Sequence, residues 1–199
     1  GKGKHSKRVK ITSVTPSPQN PDVLFYGVDL KEGVGAWSSL CTDAQGNDTD
    51  AILIGNLWDP ASAARVGDGV QGAVTFACRG AALAKCVEWG YRPWGEAGGA
   101  SLEDFHQTCT RLVRADYCGD GISHTVDGTG IHVLDEIGVQ DLDPDVTFVI
   151  EAEWGPSGAL CLNAANTRIA DVQIECELPA CGAPFESGGI IQSGKITAP

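Results

Sequence analysis

Residues 148–163 read Phe-Val-Ile-Glu-Ala-Glu-Trp-Gly-Pro-Ser-Gly-Ala-Leu-Cys-Leu-Asn, and this stretch carries the clearest structural pattern of the chain. Its first half has apolar side chains at every second position, which is typical of a half-buried β-strand: Phe148, Ile150, Ala152 and Trp154. Turn-forming residues fill positions 155–158, and a second apolar run covers 159–163. The sequence therefore predicts a β-hairpin here.

Upstream of the hairpin the pattern changes to helix. Residues 81–89 contain strong helix formers and stop at Gly90. A second helix is predicted from Ser101 to about Gly119, with Asp104 completing an approximate capping box. A short third helix is predicted from three apolar residues at helical spacing, Ile131, Leu134 and Ile137.

Further upstream the pattern returns to strands, which are predicted at residues 8–14, 23–28, 51–54 and 72–78. The predicted fold class is therefore α+β: a single disulfide-rich domain with antiparallel β-rich flanks around a central two- to three-helix segment. Residues 1–14 are predicted to form a basic arm and first strand, and residues 15–199 one globular domain.

The charge distribution separates the N-terminus from the rest of the chain. The formal net charge is −12, yet the first ten residues hold five of the 14 basic residues and no acidic ones. The remainder has nine basic residues against 26 acidic ones, a net charge of −17. Such an acidic body repels phosphate backbones, so no nucleic-acid partner is expected. No apolar run is long enough for a transmembrane segment.

Eight cysteines indicate the compartment. None belongs to a C-x-x-C pair, so zinc-ribbon and thioredoxin-type spacings are missing. An even number without metal spacing predicts up to four disulfides and a secreted, periplasmic or cell-surface location. A bridge from Cys86 to Cys109 or Cys118 is natural between the two helices, and a local Cys176–Cys181 bridge is plausible. The cysteines are Cys41, Cys78, Cys86, Cys109, Cys118, Cys161, Cys176 and Cys181.

The central block also resembles a known family. Residues 75–94 and 106–121, which include Ala115-Asp116-Tyr117-Cys118, are similar to the ADYC domain, named after that tetrapeptide. Residues 124–129 and 153–161 fit the same family, so the resemblance covers about residues 37–182. It implies similarity to secreted or lipoprotein-like bacterial proteins, especially of myxobacteria, without an assigned activity.

The polar residues around the tetrapeptide are the candidates for catalysis. In a hydrolase reading, His106 or His124 would act as the base and Asp116 or Asp127 would orient it. Cys118 is a weak nucleophile candidate, because a helix C-terminus does not favour a thiolate and a disulfide would remove it. The competing interpretation is an ordinary Gly/Asp-rich turn after a helix.

A metal site is the second reading of this cluster. Asp120, Asp127 and His124 are its candidate ligands, and the repeat of aspartates at 141, 143 and 145 adds oxygen donors. Neither stretch has the calcium-binding EF-hand pattern. No cofactor is therefore expected, with calcium kept as the lesser alternative.

The aromatic link between the two helices is a candidate binding face for carbohydrate or peptide. Its alternative role is a core wedge. The residues concerned are Trp89, Tyr91, Arg92 and Trp94.

The sequence as a whole favours a non-enzymatic extracytoplasmic module with a binding or assembly role. Its partner is an unknown protein or carbohydrate, or a second copy paired through the N-terminal strand. The alternative is a secreted hydrolase that uses His106 and His124 with nearby aspartates.

Overall fold

The computed structural model of the chain describes residues 7–66, 72–142, 146–170 and 172–197. Contacts divide the chain into two compact units. The first comprises Gly1–Leu57 and Asp68–Lys85, and the second Trp58–Gly67 and Cys86–Pro199. The predicted mixture of helix and strand is confirmed, whereas one globular domain over residues 15–199 stays a prediction.

The first unit is an antiparallel sheet. Its strands are β1 (Lys7–Pro16), β2 (Leu24–Glu32), β3 (Ser38–Ser39), β4 (Ala51–Gly55) and β5 (Val74–Cys78). The order is β1-β2-β4-β5, and β3 pairs with β2. The predicted N-terminal strands correspond to β1, β2, β4 and β5. A small core forms around Val28, Cys41 and Ala51, and the Cys41–Cys78 disulfide joins two of its walls.

Strand β1 differs from its neighbours because all ten of its residues are exposed. It pairs with β2 from Lys7↔Glu32 to Pro16↔Leu24, and the register shifts between Ile11 and Ser13. The β1–β2 hairpin thus carries a bulge near the middle of β1. Within the described residues, no strand pairs with the other side of β1.

The helices follow. Helix α1 (Ala82–Glu88) begins in the first unit and ends in the second, and α2 (Glu103–Arg114) belongs to the second. Between them lies a small ribbon of β6 (Glu96–Ala97) and β7 (Ala100–Ser101). The first turn of α2 contains acidic residues and its last turn contains basic residues, an arrangement that interacts favourably with the helix dipole. No helix in the described part of the chain has the length and apolar character needed to cross a membrane.

The predicted bounds of α2 need correction at both ends. The N-cap is Leu102 rather than Ser101, and the helix has no side-chain cap. Ser101 lies in β7, although its hydroxyl accepts a hydrogen bond of 3.3 Å from the Glu103 N–H. At the other end Ala115 adopts the left-handed conformation (φ 52°), so the helix stops at Arg114 and does not reach Gly119.

The second unit holds a four-stranded antiparallel sheet in the order β10-β9-β11-β8. Its strands are β8 (His132–Asp135), β9 (Thr147–Gly155), β10 (Gly158–Leu162) and β11 (Ile191–Thr197). The β9–β10 pair is the predicted hairpin. A 3-10 turn covers Ala164–Asn166.

The predicted third helix is wrong. Residues 132–135 form β8, which pairs with β11, and Ile131, Leu134 and Ile137 therefore do not line a helix face. Three apolar residues are too few to establish a helical period. Strand β11, which the sequence pattern did not predict, supplies the long-range pairing that makes this segment extended.

Candidate functional site

The tetrapeptide at residues 115–118 follows directly after Arg114, the last residue of α2. The backbone N–H groups of Ala115 and Asp116 donate to carbonyl oxygens of the last helical turn, at 3.0 Å to Leu112 and 2.9 Å to Arg111. Ala115, Asp116 and Tyr117 are fully buried. This left-handed C-cap turns the chain sharply inward, so the residues after the helix enter the core.

Asp116 organises the turn that follows. Its carboxylate accepts a hydrogen bond from the Arg111 guanidinium and another from the Gly121 N–H at 3.1 Å. The Arg111 Nε also donates to the Pro156 carbonyl at 3.2 Å. A buried carboxylate is stabilised by such partners. The Asp116–Arg111 pair therefore holds together the helix end, the 119–121 turn and the hairpin turn.

Tyr117 points into the sheet of the second unit. Its hydroxyl donates to Glu151 Oε1 at 2.8 Å, and its ring stacks on Trp154 with 5.2 Å between centroids. Its carbonyl accepts the Ala159 N–H at 2.8 Å. Burial raises the pKa of the Tyr117 phenol, and the negative charge of Glu151 raises it further. Tyr117 is thus a neutral hydrogen-bond donor at physiological pH.

Glu151 lies at the centre of a buried cluster that also contains Tyr117, Arg168 and Ser193. Arg168 contacts both of its carboxylate oxygens, with Nε at 3.1 Å from Oε1 and a terminal nitrogen at 2.8 Å from Oε2. The Ser193 hydroxyl donates to Oε2 at 2.7 Å. Burial alone would raise the pKa of Glu151, but the charge and hydrogen bonds of Arg168 hold it below its ordinary value. Glu151 is therefore ionised and fully paired.

The cluster continues through Trp154 and Glu153. Trp154 Nε1 donates to the Ser193 hydroxyl at 2.8 Å, and Gln192 Nε2 donates to Glu153 Oε1 at 3.0 Å. Glu153 also accepts the Ser187 N–H at 3.0 Å. All of these side chains are buried except Ser187. Together they form a polar layer in which β11 is joined to β9 by side chains as well as by backbone pairing.

The two histidine candidates lie in different surroundings. His106 is fully buried, and its ring meets the edge of Trp58 with 4.9 Å between centroids. His124 is half-buried, 6.0 Å from the Tyr117 ring between centroids. Asp116 is bound to Arg111 and Gly121, and Asp127 is exposed.

The candidate metal ligands are also dispersed. Asp120 is exposed and accepts the Ile122 N–H at 2.8 Å, which is an ordinary Asx turn. No three His, Cys, Asp or Glu side chains within the described stretches are grouped to hold a metal ion. Residues 143 and 145 lie outside the described residues. The expectation that the chain needs no cofactor stays a prediction.

The aromatic candidates do not share one exposed face. Tyr91 is fully buried, donates to Asp135 Oδ2 at 2.7 Å and stacks on Phe105. Burial, together with the hydrogen bond and charge of Asp135, raises its pKa. Trp89 and Arg92 are half-buried, and Trp94 is about half exposed.

All eight cysteines form disulfides. The pairs are Cys41–Cys78, Cys86–Cys109, Cys118–Cys176 and Cys161–Cys181. The Cys86–Cys109 bridge is one of the two predicted helix staples. The local Cys176–Cys181 bridge is wrong, because each of these cysteines pairs with a residue near the β9–β10 hairpin or the end of α2. Cys118 is bonded to Cys176 and is therefore not a nucleophilic thiol.

Glu151, Arg168 and Ser193 were not among the predicted site residues. The alternation in β9 placed Glu151 and Glu153 on the solvent side, yet they are 1% and 0% exposed. They are buried because β9 packs against α2 and because Arg168 and Gln192 lie against the two carboxylates. No local pattern in the sequence distinguished these two glutamates from glutamates that face solvent.

Comparison with known proteins agrees with the resemblance noted above. A family model described as the ADYC domain matches residues 1–168. The match includes the first 36 residues, which the quoted motifs did not cover, and ends before residue 182. No curated protein and no solved structure matches the chain.

Proposed function

The chain belongs to the ADYC domain family, and we propose that it acts as a non-enzymatic module of an oxidising extracytoplasmic compartment that assembles with a second copy of itself through β1. Four disulfides support the compartment, because such bonds persist where thiols are not kept reduced. The assembly role rests on one observation, the exposure of β1.

Strand β1 presents an open edge together with apolar side chains. Val9, Ile11 and Val14 are 53%, 51% and 50% exposed. An edge strand of ten residues offers a row of backbone N–H and C=O groups to another strand. Pairing with a second strand would satisfy these groups and cover part of the apolar surface, which is the usual basis of strand addition.

The charge pattern of the hairpin favours a second copy as the occupant. Basic residues of β1 lie only in its first four positions, at Lys7, Arg8 and Lys10, and residues 11–16 are uncharged. Strand β2 has the matching pattern. Its charged residues lie within 29–32, and residues 24–28 are uncharged. Antiparallel pairing about a two-fold axis sets the basic half of one β1 beside the uncharged half of the other. Like charges do not face each other in that arrangement.

Other features of β1 restrict how it can pair. The bulge between Ile11 and Ser13, the lysines and the terminal Pro16 are devices that limit indiscriminate edge pairing. They favour a closed pair of chains over an open fibre, because a strand with a bulge and a proline accepts few registers.

The surroundings of His106 and Asp116 do not support the hydrolase alternative. His106 is 0% exposed, and the Asp116 carboxylate is bound to Arg111 and Gly121. A hydrolytic base has to reach substrate and water. The tetrapeptide is engaged in structural contacts, which supports a scaffolding role for it.

Sedimentation equilibrium of Val14→Lys and Val14→Glu tests the assembly. Both variants place a charge at the same half-exposed position, but only lysine adds like charge beside the partner's basic half. We expect the wild type to form dimers, Val14→Lys to weaken them at least about tenfold, and Val14→Glu to keep or strengthen them.

Val74 provides the matched control, because it is 49% exposed and lies on β5 at the other edge of the same sheet. Val74→Lys and Val74→Glu should leave the dimer unchanged. A monomeric wild type at high concentration, or equal weakening by both Val14 variants, would overturn the proposal.

A further inference from the structure

A cavity of about 250 Å³ lies in the second unit, outside the buried cluster around Glu151. One aromatic ring, three polar side chains and a small apolar group line it: Trp89, His132, Gln140, Asp141, Ile131, Val133 and Leu142. Trp89 and Gln140 are half-buried, whereas His132 and Asp141 are exposed. The cavity therefore opens to solvent and combines an aromatic side chain with hydrogen-bonding groups.

The wall that carries Gln140 is held in place by buried contacts. The Asp135 carboxylate accepts the N–H groups of Ile137, Val139 and Gln140 at 2.8 to 3.1 Å, and it also accepts the Tyr91 hydroxyl. Asp135 is 4% exposed. The hydrogen bonds to Asp135 thus order the 136–140 loop in the absence of a ligand.

The wall that carries Trp89 is tied to the same loop. Gln140 Nε2 donates to the Trp89 carbonyl at 2.6 Å. Gly90 has a φ of 104°, and a Cβ at that position would lie 2.9 Å from Val139 Cγ1. The turn after Trp89 therefore packs against the loop too closely for a side chain. A cavity with walls fixed in this way loses little conformational entropy on binding.

We propose that this cavity binds a single pyranose ring that carries no negative charge. A sugar ring has an apolar C–H face and an edge of hydroxyl groups. Trp89 offers an aromatic surface for the face, and Asp141, Gln140 and His132 offer acceptors and donors for the hydroxyls. The lining of the cavity is more polar than apolar, which suits a ligand that is rich in hydroxyl groups.

Size and charge define the ligand class. A cavity of about 250 Å³ lies below the usual range for drug-sized ligands, which suits one ring better than an extended chain. The protein has a net charge of −12, and Asp141 adds a carboxylate at the rim. The field of an acidic protein disfavours uronic or phosphorylated sugars and tolerates neutral and amino sugars. This inference does not depend on assembly through β1.

Nitrogen-15 NMR of the tryptophan indoles tests the site directly. The chain has five tryptophans, so the Trp89 and Trp94 signals can be assigned from Trp89→Phe and Trp94→Phe. The probes are methyl β-D-glucopyranoside, methyl β-D-glucosaminide and methyl β-D-glucuronide. We expect the glucoside, the glucosaminide or both to shift the Trp89 signal saturably. The Trp94 signal should stay unchanged, and the glucuronide should shift neither signal.

A pair of acidic-residue variants adds an affinity readout. Asp141→Ala should weaken binding at least about tenfold, whereas Asp127→Ala, at an exposed aspartate that does not line the cavity, should not. Both changes are at exposed positions, so the fold should persist. The proposal is overturned if neither the glucoside nor the glucosaminide moves the Trp89 signal, if the glucuronide binds equally well, or if both aspartate variants bind like the wild type.

Discussion

Arg168 and Glu151 form an ion pair in the interior of the second unit, with side chains 3% and 2% exposed and 2.8 Å between the charged groups. The same guanidinium donates to the Leu112 carbonyl at 2.9 Å. One arginine therefore links the segment after β10 to both β9 and the last turn of α2.

Removing this arginine should destabilise the protein strongly. Arg168→Met leaves the Glu151 carboxylate buried without its cation, which costs about 3–5 kcal/mol in comparable pairs. Chemical unfolding measures the loss. Lys7→Met is the control, because the Lys7–Glu32 pair is exposed and should contribute no more than about 1 kcal/mol. Equal losses in the two variants would contradict the importance of the buried pair.

The same pair should make stability depend on pH in acid. The pKa of Glu151 is lower in the folded protein than in the unfolded chain. As pH falls, the unfolded chain takes up the proton first, so the stability from Glu151 is present near neutral pH and lost in acid. The stability difference between wild type and Glu151→Gln should be largest above about pH 5 and shrink below it. A difference that stays constant with pH would exclude this linkage.

The Tyr117 hydroxyl should stabilise the folded protein. This stabilisation should be present only below the pH at which a free tyrosine ionises. Tyr117→Phe removes a hydrogen bond to a buried carboxylate, and we expect a loss of about 1–3 kcal/mol. Because burial raises its pKa, the unfolded chain ionises first above about pH 10, and stability falls there. Phenolate absorbance should rise together with unfolding. Tyr26→Phe, in the other unit, is the control for loss of a tyrosine hydroxyl.

Gly119 should tolerate no side chain. A Cβ there would lie 1.7 Å from the Ser157 carbonyl oxygen, and φ is 70°. Gly119→Ala should therefore cost at least about 3 kcal/mol. Gly128 has a similar φ of 86° but no atom within 4 Å of the added Cβ, so Gly128→Ala should cost only about 1–2 kcal/mol. Similar unfolding midpoints for the two variants would show that the close approach is relieved cheaply.

The disulfide pairing can be checked by mass spectrometry. The denatured protein should take up no alkylating label before reduction and eight labels after it, because the described residues contain no free cysteine. Peptides from a non-reducing digest should join Cys118 to Cys176 and Cys161 to Cys181. A linked Cys176–Cys181 peptide would contradict this arrangement.

Local pattern predicted the parts of the fold that local forces determine. The β9–β10 hairpin and α2 follow from alternation, helical spacing and turn residues, whereas the sequence leaves the staple from Cys86 open between Cys109 and Cys118. Strand β11 escaped prediction because its buried positions include the polar residues Gln192 and Ser193, whose burial depends on partners far away in sequence. The error at β8 has the same origin, since β8 is a strand only through its pairing with β11.

The buried cluster was unpredictable for a related reason. Glu151 looks solvated in its own strand, and its burial becomes favourable through hydrogen bonds from Tyr117, Arg168 and Ser193. These partners are 34, 17 and 42 residues away in sequence. A sequence pattern reports which residues are apolar, but it does not report which charges find a partner.

The position of β11 also affects how the protein is made. It follows β8, β9 and β10 in sequence, yet it lies between β8 and β9 in the sheet. A growing or exported polypeptide therefore presents β8 and β9 before the strand that joins them exists outside the ribosome or translocon. Glu151 and Trp154 stay without the Ser193 hydroxyl during that interval. The sheet of the second unit can therefore be completed only after β11 has emerged.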